Sequence, residues 1–276
     1  MKKSFIMKVI DFFHGNGVGK HMKHVVITGS TRGIGYGLAR EFLLTGCRVM
    51  INGQSQESVD TALDSLRKII SGTVEGFAGT AAKRDELEQL WNYAEQKFRT
   101  IDIWINNAGI DQERKFFWEL DKEAYDQVIH TNLKGVMNGC HVAFNHMLKQ
   151  GYGQIFNMEG FGSNGMMREK MTLYGTSKSA VSYFTRSLAI EAKQTNIKVG
   201  TLSPGMVATD FLRKSLDDHN RKIFNILGDK VEPVTKFLAE KVLENQDNDA
   251  KIQWLTKPKV MWRFASSMFT KRDIFN

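Results

Sequence analysis

Short apolar runs alternate with longer amphipathic runs along most of this chain. A short apolar run bounded by turn residues predicts a strand that is buried on both faces, as in a parallel sheet. The amphipathic runs between them predict helices that cross from one strand to the next. The alternation therefore predicts an α/β fold built on a parallel sheet.

The predicted strands cover residues 24–28, 47–51, 73–78, 101–105, 154–158, 197–202 and 252–255. The predicted helices cover residues 33–44, 58–70, 85–98 and 122–148, the last capped by Asp121, and a further helix carries Tyr174. Residues 210–246 are polar and helical, and we expect them to form a flap over a substrate cleft.

A chain of 276 residues, 42% of them hydrophobic, can bury one sizeable core, so we expect a single domain over residues 23–256. Residues 1–22 are interpreted as an N-terminal extension and residues 257–276 as a C-terminal tail. Apolar positions within 5–13 favour a short amphipathic helix packed on the body over one that contacts a membrane surface. No apolar run approaches the length of a transmembrane helix.

Cysteine usage and charge narrow the class of protein. Cys47 and Cys140 lie in apolar runs without metal-ligand spacing, which predicts buried free thiols, no metal site and a reducing, cytoplasmic compartment. The formal net charge is +8, but basic and acidic residues are interspersed, and no aromatic-basic motif lies within the fold. We therefore expect a small-molecule substrate and no nucleic-acid partner.

A glycine-rich turn follows the first predicted strand, with the sequence Thr28-Gly29-Ser30-Thr31-Arg32-Gly33-Ile34-Gly35. Glycines at these positions allow a tight turn and let the backbone approach a pyrophosphate at the N-terminus of the next helix. Because a strand is predicted before the turn and a helix after it, the turn indicates a dinucleotide site. Another glycine run, at residues 15–20, lacks P-loop spacing and is interpreted as a linker.

The second predicted strand ends in Asn52-Gly53-Gln54-Ser55, without the acidic residue that usually holds the ribose hydroxyls of NAD. A 2′-phosphate would therefore meet no carboxylate at this strand end. Arg32 can supply positive charge to that phosphate, although an arginine merely solvated at the loop edge is the alternative. The pattern favours NADP(H) over NAD(H) as the cofactor.

Tyr174 and Lys178 are four residues apart on one helix, so the phenol and the ammonium can converge on one small volume. A close cation favours the phenolate and lowers the tyrosine pKa, which would let the pair pass a proton to or from a carbonyl oxygen. Such pairs also occur by chance on exposed helices. Here the pair follows the glycine turn and Asn106-Asn107-Ala108-Gly109 and precedes Pro204-Gly205, and this order indicates a dinucleotide enzyme.

These segments resemble the short-chain dehydrogenase/reductase family from residue 24 to about residue 255, and Asn132 in the long helix adds to the likeness. The resemblance implies a Rossmann-type doubly wound parallel sheet. It implies catalytic roles for Tyr174 and Lys178, a proton path through a water anchored by Asn132, and association as a homodimer or homotetramer. The cofactor-binding residues are then Gly29, Ser30, Arg32, Gly33, Ile34, Gly35, Asn107, Ala108, Gly109, Tyr174, Lys178, Pro204, Gly205, Val207 and Thr209.

Two positions depart from the family pattern. The family usually carries a serine after the fifth strand that hydrogen-bonds the substrate oxygen, but alignment of the strand ends puts Glu159 and Gly160 there. Ser163 is the nearest hydroxyl and is assigned this catalytic role, with an ordinary loop serine as the alternative. Thr80 stands where the family often has an aspartate that contacts the adenine ring.

The run Asn157-Met158-Glu159-Gly160-x-Gly162-Ser163 is most similar to the chlorophyll b reductase branch, which reduces a formyl group on a chlorin ring with NADPH. The resemblance implies the reaction, carbonyl to alcohol, more than the chlorin substrate. Apolar residues in two segments favour a bulky hydrophobic substrate or, equally, a core or subunit contact. They are Met166, Met167 and Met171 in the loop before the Tyr/Lys helix and Phe211, Leu212, Phe224 and Ile226 in the flap.

The alternative function is that of a catalytically impaired sensor or scaffold, which binds NADPH but lacks the usual serine. Retention of both Tyr174 and Lys178 argues against this alternative.

We expect the protein to bind NADPH more tightly than NADH, because residues 52–55 present no carboxylate to a 2′-phosphate and Arg32 offers it a cation. Titration of each reduced nucleotide by its fluorescence gives the two dissociation constants. Tighter binding of NADH would contradict the assignment.

Overall fold

The computed structural model describes residues 22–69, 74–209, 218–269 and 272–274. Its seven strands form one parallel sheet, in the order β3-β2-β1-β4-β5-β6-β7, which confirms the predicted fold class. The strands are β1 (His24–Ile27), β2 (Arg48–Gly53), β3 (Val74–Ala78), β4 (Ile103–Asn106), β5 (Gly153–Met158), β6 (Ile197–Ser203) and β7 (Lys251–Gln253).

Helices connect the strands and cover both faces of the sheet. They are α1 (Gly33–Leu44), α2 (Gln56–Arg67), α3 (Arg84–Phe98), α4 (Lys122–Ile129), α5 (Gly135–Gln150), α6 (Thr172–Glu191), α7 (Asp218–Leu227), α8 (Val231–Glu244) and α9 (Lys257–Ser267). No helix in the described part of the chain is long and apolar enough to cross a membrane.

Alternate residues of each strand pack into two separate cores. In β1, Val25 and Ile27 pack with residues of α1, α2 and α8, whereas Val26 packs with residues of α3, α5 and α6. A parallel sheet covered on both faces explains why its strands are apolar without interruption. Cys47 and Cys140 are buried, as predicted, and lie in different cores.

The predicted helix over residues 122–148 is not continuous. Its start is confirmed, because the Asp121 carboxylate accepts a hydrogen bond from the Ala124 N–H at 2.8 Å. A π-helical segment, His130–Lys134, then separates α4 from α5. Its member Asn132 is buried and bonds the backbone of Ile110, so the break in the helix points this side chain inward. Hydrophobic periodicity does not reveal such a break, which is common at functional sites.

The prediction of a flap over residues 210–246 is wrong for the second half of this range. Helix α8 packs against α1, and Val234, Leu238 and Val242 are fully buried in the core. Its apolar positions recur at helical spacing, which is the pattern of a helix packed on a sheet. Of the residues described in that range, α7 is what remains for a flap.

Several predictions fall on residues outside the described ranges. These are the structure of the N-terminal extension before Met22, the interpretation of residues 15–20 as a linker, and the placement of Phe211 and Leu212.

A buried polar network joins β4, β5, α5 and α6 beneath the carboxyl ends of the strands. Asn157 Oδ1 accepts from Asn106 Nδ2 at 2.8 Å and from Cys140 Sγ at 3.3 Å, and Asn157 Nδ2 donates to Thr185 Oγ1 at 2.9 Å. Asn157 has no exposed surface. A network of this kind fixes the positions of two helices relative to the sheet.

Replacement of Asn157 by leucine is expected to lower the free energy of unfolding by about 1–3 kcal/mol, because it leaves buried partners without a hydrogen bond. Denaturant unfolding measures the change. The control Asn145→Ala removes an exposed amide that bonds its own helix and should change stability by less than about 0.5 kcal/mol. Equal effects of both variants would contradict the role of the network.

Candidate active site

The predicted site residues gather at the carboxyl edge of the sheet. Thr28 follows β1, Asn107 follows β4, Glu159 follows β5 and Pro204 follows β6. The strand order reverses between β1 and β4, and in open α/β sheets ligands bind beside this point.

The glycine turn forms a tight cradle beside the loop that follows β4. Gly29 has a φ of +59°, and a Cβ at this position would lie 2.7 Å from Ala108 Cα. Asn107 Nδ2 donates to the carbonyls of Thr28 and Gly29 at 3.0 and 2.8 Å. Helix α1 begins at Gly33, so its free N–H groups lie at the turn. The turn thus has the shape and the donors that a pyrophosphate requires.

Asn52 and Arg32 have different surroundings at the predicted cofactor edge. Asn52 is buried, and its Oδ1 accepts from the Gly29 N–H at 3.2 Å while its Nδ2 donates to the carbonyls of Phe77 and Gly79. The asparagine therefore fixes the glycine turn, a role that sequence reasoning missed. Arg32 occupies the N-cap position of α1, its side chain makes no capping hydrogen bond, and it is exposed.

Asn132 and Lys178 converge on Gly109. Asn132 Oδ1 accepts from the Ile110 N–H at 2.8 Å, and its Nδ2 donates to the Ile110 carbonyl at 2.9 Å. Lys178 Nζ donates to the Met158 carbonyl at 3.0 Å. A Cβ on Gly109 would lie 3.3 Å from Asn132 Oδ1 and 3.6 Å from Lys178 Nζ. The structure thus brings together the loop after β4, the π segment and α6.

Tyr174 is buried at the start of α6, with its hydroxyl at the end of β5. A Cβ on Gly160 would lie 2.5 Å from the Tyr174 hydroxyl. The position where the family usually has a serine is therefore beside the phenol, and the phenol occupies the space that a larger side chain would need. The Tyr174 N–H donates to Gln112 Oε1 at 2.7 Å, so Gln112 anchors the first turn of α6. No sequence signal distinguished Gln112.

The sequence predicts that the Lys178 ammonium lowers the pKa of Tyr174. This direction is wrong for the protein chain by itself, in which the pKa is raised. Burial raises the pKa of Tyr174 above its ordinary value, Asp111 adds to the increase, and Arg114 opposes it. The physical reason is that burial disfavours the phenolate, and the Lys178 ammonium donates to a backbone carbonyl. Burial also lowers the pKa of Lys178 to about 8, against the opposing effect of Glu159.

Ser163 lies next to these residues, but its hydroxyl bonds the backbone. Its Oγ accepts from the Gly160 N–H at 3.2 Å and donates to the Lys178 carbonyl at 3.1 Å. These bonds tie the loop after β5 to α6. The assignment of Ser163 as the hydroxyl that bonds a substrate oxygen stays a prediction.

Glu159 is a buried carboxylate that the sequence reasoning considered only as a replacement for serine. It is 4% exposed, accepts from Ser182 Oγ at 2.8 Å, and lies 3.7 Å from Lys251 Nζ. Its influence on the pKa of Lys178 places it in the electrostatics of the site. The signal that could have found it is an acidic residue at the end of a buried strand.

The loop after β6 faces the glycine turn. A Cβ on Gly33 would lie 3.6 Å from Thr209 Cγ2. Asp229 holds this loop from outside, since its N–H donates to the Met206 carbonyl at 2.9 Å and its carbonyl accepts from the Ala208 N–H at 2.8 Å. The predicted residues 204–209 thus lie across the cradle from residues 29–33.

Apolar side chains lie exposed on the two loops next to Tyr174. The loop before α6 carries Met166 and Met167, which are 59% and 94% exposed, and the loop after β4 carries Phe117 and Trp118, which are 52% and 79% exposed. Lys170 Nζ lies 4.8 Å from the centre of the Phe116 ring, so the two loops are in contact. By contrast, Met171 and Phe224 are buried, which fits the core alternative for these two residues.

A family comparison matches most of the chain. The family model described as short chain dehydrogenase matches residues 23–220. This range contains the glycine turn, Asn132, Ser163 and the Tyr174–Lys178 pair.

Three curated relatives show how far the likeness extends. The probable chlorophyll(ide) b reductase NYC1 of Arabidopsis thaliana is 34% identical over 271 residues, which cover 92% of this chain and 55% of the relative. The chlorophyll(ide) b reductase NOL of the same plant is 38% identical over 225 residues, which cover 79% of this chain and 65% of the relative. A 3α-hydroxysteroid dehydrogenase of Mediterraneibacter gnavus is 33% identical over 203 residues, covering 69% and 76%. The chain spans about half to two thirds of the length of these two chlorophyll(ide) b reductases.

Solved structures share the fold over nearly their whole length. A 3-ketoacyl-(acyl-carrier-protein) reductase of Brucella melitensis complexed with NADH has a TM-score of 0.77 at 21% identity and covers 86% of this chain and 98% of its own. ElxO with NADP bound has a TM-score of 0.75 at 25% identity and covers 87% and 99%. Both cofactor types thus occur on this fold.

We expect Glu159→Gln to lower the pKa of Lys178 further below about 8, because the substitution removes a negative charge that favours the ammonium. Loss of the lysine proton should weaken binding of a nicotinamide nucleotide, and the midpoint of that loss should move to lower pH in the variant. Fluorescence titration of NADPH over a range of pH measures the midpoint.

Ser182→Ala is the matched control, since it removes a hydrogen bond to Glu159 but keeps the carboxylate. Its midpoint should stay near that of the unmodified protein. A midpoint that does not move in Glu159→Gln would show that this carboxylate does not tune Lys178.

Proposed function

Because this chain belongs to the short chain dehydrogenase family, we propose that it is an NADP(H)-dependent oxidoreductase that interconverts a carbonyl group, in a ketone or an aldehyde, and an alcohol. The observation that supports this most is the convergence of Tyr174, Lys178 and Asn132 at the sheet edge that also carries the glycine turn. An acid, a cation and a nucleotide cradle are the parts that this reaction needs.

The residues present fit a dinucleotide. The backbone of Gly29 and the N-terminus of α1 would hold the pyrophosphate, and Asn107–Gly109 the adenine ribose. Lys178 would hold the nicotinamide ribose, and residues 204–209 the nicotinamide and the pyrophosphate. Exposed Arg32 and the absence of a carboxylate at residues 52–55 support the preference for a 2′-phosphate.

The nicotinamide, when bound, supplies or accepts the hydride. The protein handles the proton: Tyr174 gives its hydroxyl proton to the substrate oxygen during reduction, and takes it back during oxidation. The raised pKa of Tyr174 keeps the phenol protonated near neutral pH, which is the form that reduction requires. Lys178, in its charged form, stabilises the phenolate left behind, and Asn132 anchors the path by which a proton returns.

We propose a bulky hydrophobic substrate. The exposed methionines and aromatic residues on the two loops next to Tyr174 supply adaptable apolar contact area. Three relatives carry names that refer to chlorophyll(ide) b or to a hydroxysteroid, and these are large ring systems. The chain shares only part of the length of the chlorophyll(ide) b reductases, so their substrate serves as one test compound among several.

A specific observation favours the second candidate function, an NADPH-binding sensor or scaffold with impaired catalysis. Gly160 occupies the position of the usual serine, and the Ser163 hydroxyl donates its proton to the Lys178 carbonyl. In the sensor, nucleotide binding persists and turnover is absent.

Tyr174→Phe is expected to nearly abolish turnover, because it removes the hydroxyl that donates the proton. It should leave cofactor binding intact, because the aromatic ring remains. Oxidation of NADPH is followed with ketones, aldehydes, steroids and tetrapyrrole aldehydes, and NADH serves as the comparison cofactor. Tyr183→Phe is the matched control, since Tyr183 lies on the same helix and is 78% exposed.

Turnover that disappears in Tyr174→Phe and persists in Tyr183→Phe supports the reductase. Equal turnover in the two variants would contradict the role of Tyr174. Tight NADPH binding with no turnover of any compound favours the sensor.

We also propose that the protein forms a homodimer or homotetramer through α5 and α6. Exposed apolar residues such as Met137 on α5 and Ile190 on α6 support a contact there. Its cytoplasmic location stays a prediction, and the names of the chlorophyll(ide) b reductases place those proteins in the chloroplast.

A further inference from the structure

An apolar stripe on α9 faces away from the body of the protein. Met261, Trp262 and Met268 are 74%, 67% and 75% exposed, and Phe264 and Phe269 are exposed on the same side. These positions recur at helical spacing, so their side chains form one continuous surface. Isolated apolar residues on a surface are ordinary, but a contiguous stripe of this size marks an interaction site.

The inner face of α9 is polar. Arg263 is 6% exposed and donates to both carboxylate oxygens of Asp229 at 2.9 and 2.7 Å and to the Leu227 carbonyl at 2.6 Å. The helix therefore has its polar side buried and its apolar side in solvent, the reverse of a helix that packs on a core. The ion pair and not the stripe holds α9 on the protein, so the stripe remains available to a partner.

Asp229 fixes the orientation of α9. Its carboxylate also accepts from Arg272 at 3.0 Å and from Trp254 Nε1 at 2.6 Å. Its backbone bonds Met206 and Ala208 in the loop after β6. The apolar stripe is thus presented from a fixed position near the candidate active site.

The exposed charge beside the stripe is positive. Residues 257–269 contain no acidic residue, and of their basic residues Arg263 is paired with Asp229 on the inner face, which leaves Lys257 and Lys259. Lys257 is exposed and precedes Met261 by four residues, so it lies on the stripe side of the helix. This arrangement fits a partner that is apolar and carries negative charge at its surface.

A second copy of the chain meets these requirements poorly. In a symmetric contact between two stripes, α9 of one copy offers no acidic residue to pair with Lys257 of the other. An anionic lipid surface offers negative headgroups above an apolar layer. A helix with tryptophan, phenylalanine and methionine on one side and lysine at its edge is typical of those that lie in such an interface.

We propose that α9 docks the protein on an anionic lipid surface, with Met261, Trp262 and Met268 inserted below the headgroups and Lys257 among them. This inference goes beyond the proposed reaction and does not depend on it. The helix lies in the plane of the interface and does not cross it.

Co-sedimentation of the full chain with extruded vesicles tests the proposal. We expect binding to vesicles of equimolar phosphatidylcholine and phosphatidylglycerol, and at least about fivefold weaker binding to phosphatidylcholine alone, since a basic residue at the surface such as Lys257 contributes about 1 kcal/mol. Binding should weaken as sodium chloride is raised from about 0.05 M to about 0.5 M, because salt screens the headgroup charge.

Two variants separate the apolar and the charged contributions. Trp262→Gln combined with Met268→Gln should weaken binding to the anionic vesicles by at least about tenfold, because it removes two inserted apolar side chains without changing the charge. Lys257→Glu should weaken it less and reduce the salt dependence. Both sites are exposed, so the unfolding temperature should change little, and thermal unfolding of each variant checks this.

Leu44→Gln is the matched control, since Leu44 is an apolar residue that is 47% exposed at the C-terminal end of α1. It should bind the anionic vesicles as the unmodified protein does. Absence of vesicle binding, or equal losses in the control and the double variant, overturns the proposal. Light scattering that shows an oligomer lost only in the double variant also overturns it, since a second copy would then cover the stripe.

Discussion

The hydrogen bonds between the ends of β1 and β4 are the constraint on which the candidate site depends. Thr28 Oγ1 accepts from the N–H groups of Asn107 and Ala108 at 3.0 and 3.1 Å, and the Asn107 amide donates back to the glycine turn. These bonds lie where the strand order reverses. They set the width of the crevice into which a ligand of this fold fits, and every other site residue is placed relative to it.

Local signals predicted most of the fold, because each of them has a local physical cause. Apolar runs identified the strands of a buried parallel sheet, and the Asp121 cap and the glycine turn identified helix starts. The missed features depend on distant contacts. The π segment at Asn132 exists beside a loop that is 22 residues away in sequence, and the place of α8 in the core depends on α1.

The same limit applies to the site. The spacing of Tyr174 and Lys178 predicted their shared helix face, but the pKa directions follow from burial and from Asp111, Arg114 and Glu159, which spacing does not reveal. Gln112 holds the start of α6 through one side-chain contact with no motif around it.

The missing serine is better understood as a change in packing than as a deletion. The Tyr174 hydroxyl lies against Gly160, and Ser163 supports both the Gly160 N–H and the Lys178 carbonyl. A hydroxyl at position 160 would require the tyrosine to move. The loop after β5 and the tyrosine are therefore packed against each other at Gly160.

Asp229 connects the two regions at which binding is proposed, namely α9 for a lipid surface and the loop after β6 for the nucleotide. Its side chain holds α9 through Arg263, and its backbone holds the loop that follows β6. Any free-energy coupling that passes through this residue must be reciprocal. If contact with a surface changes nucleotide affinity by some factor, the nucleotide changes the affinity of the protein for that surface by the same factor, so the supply of nucleotide would help set where the protein is found.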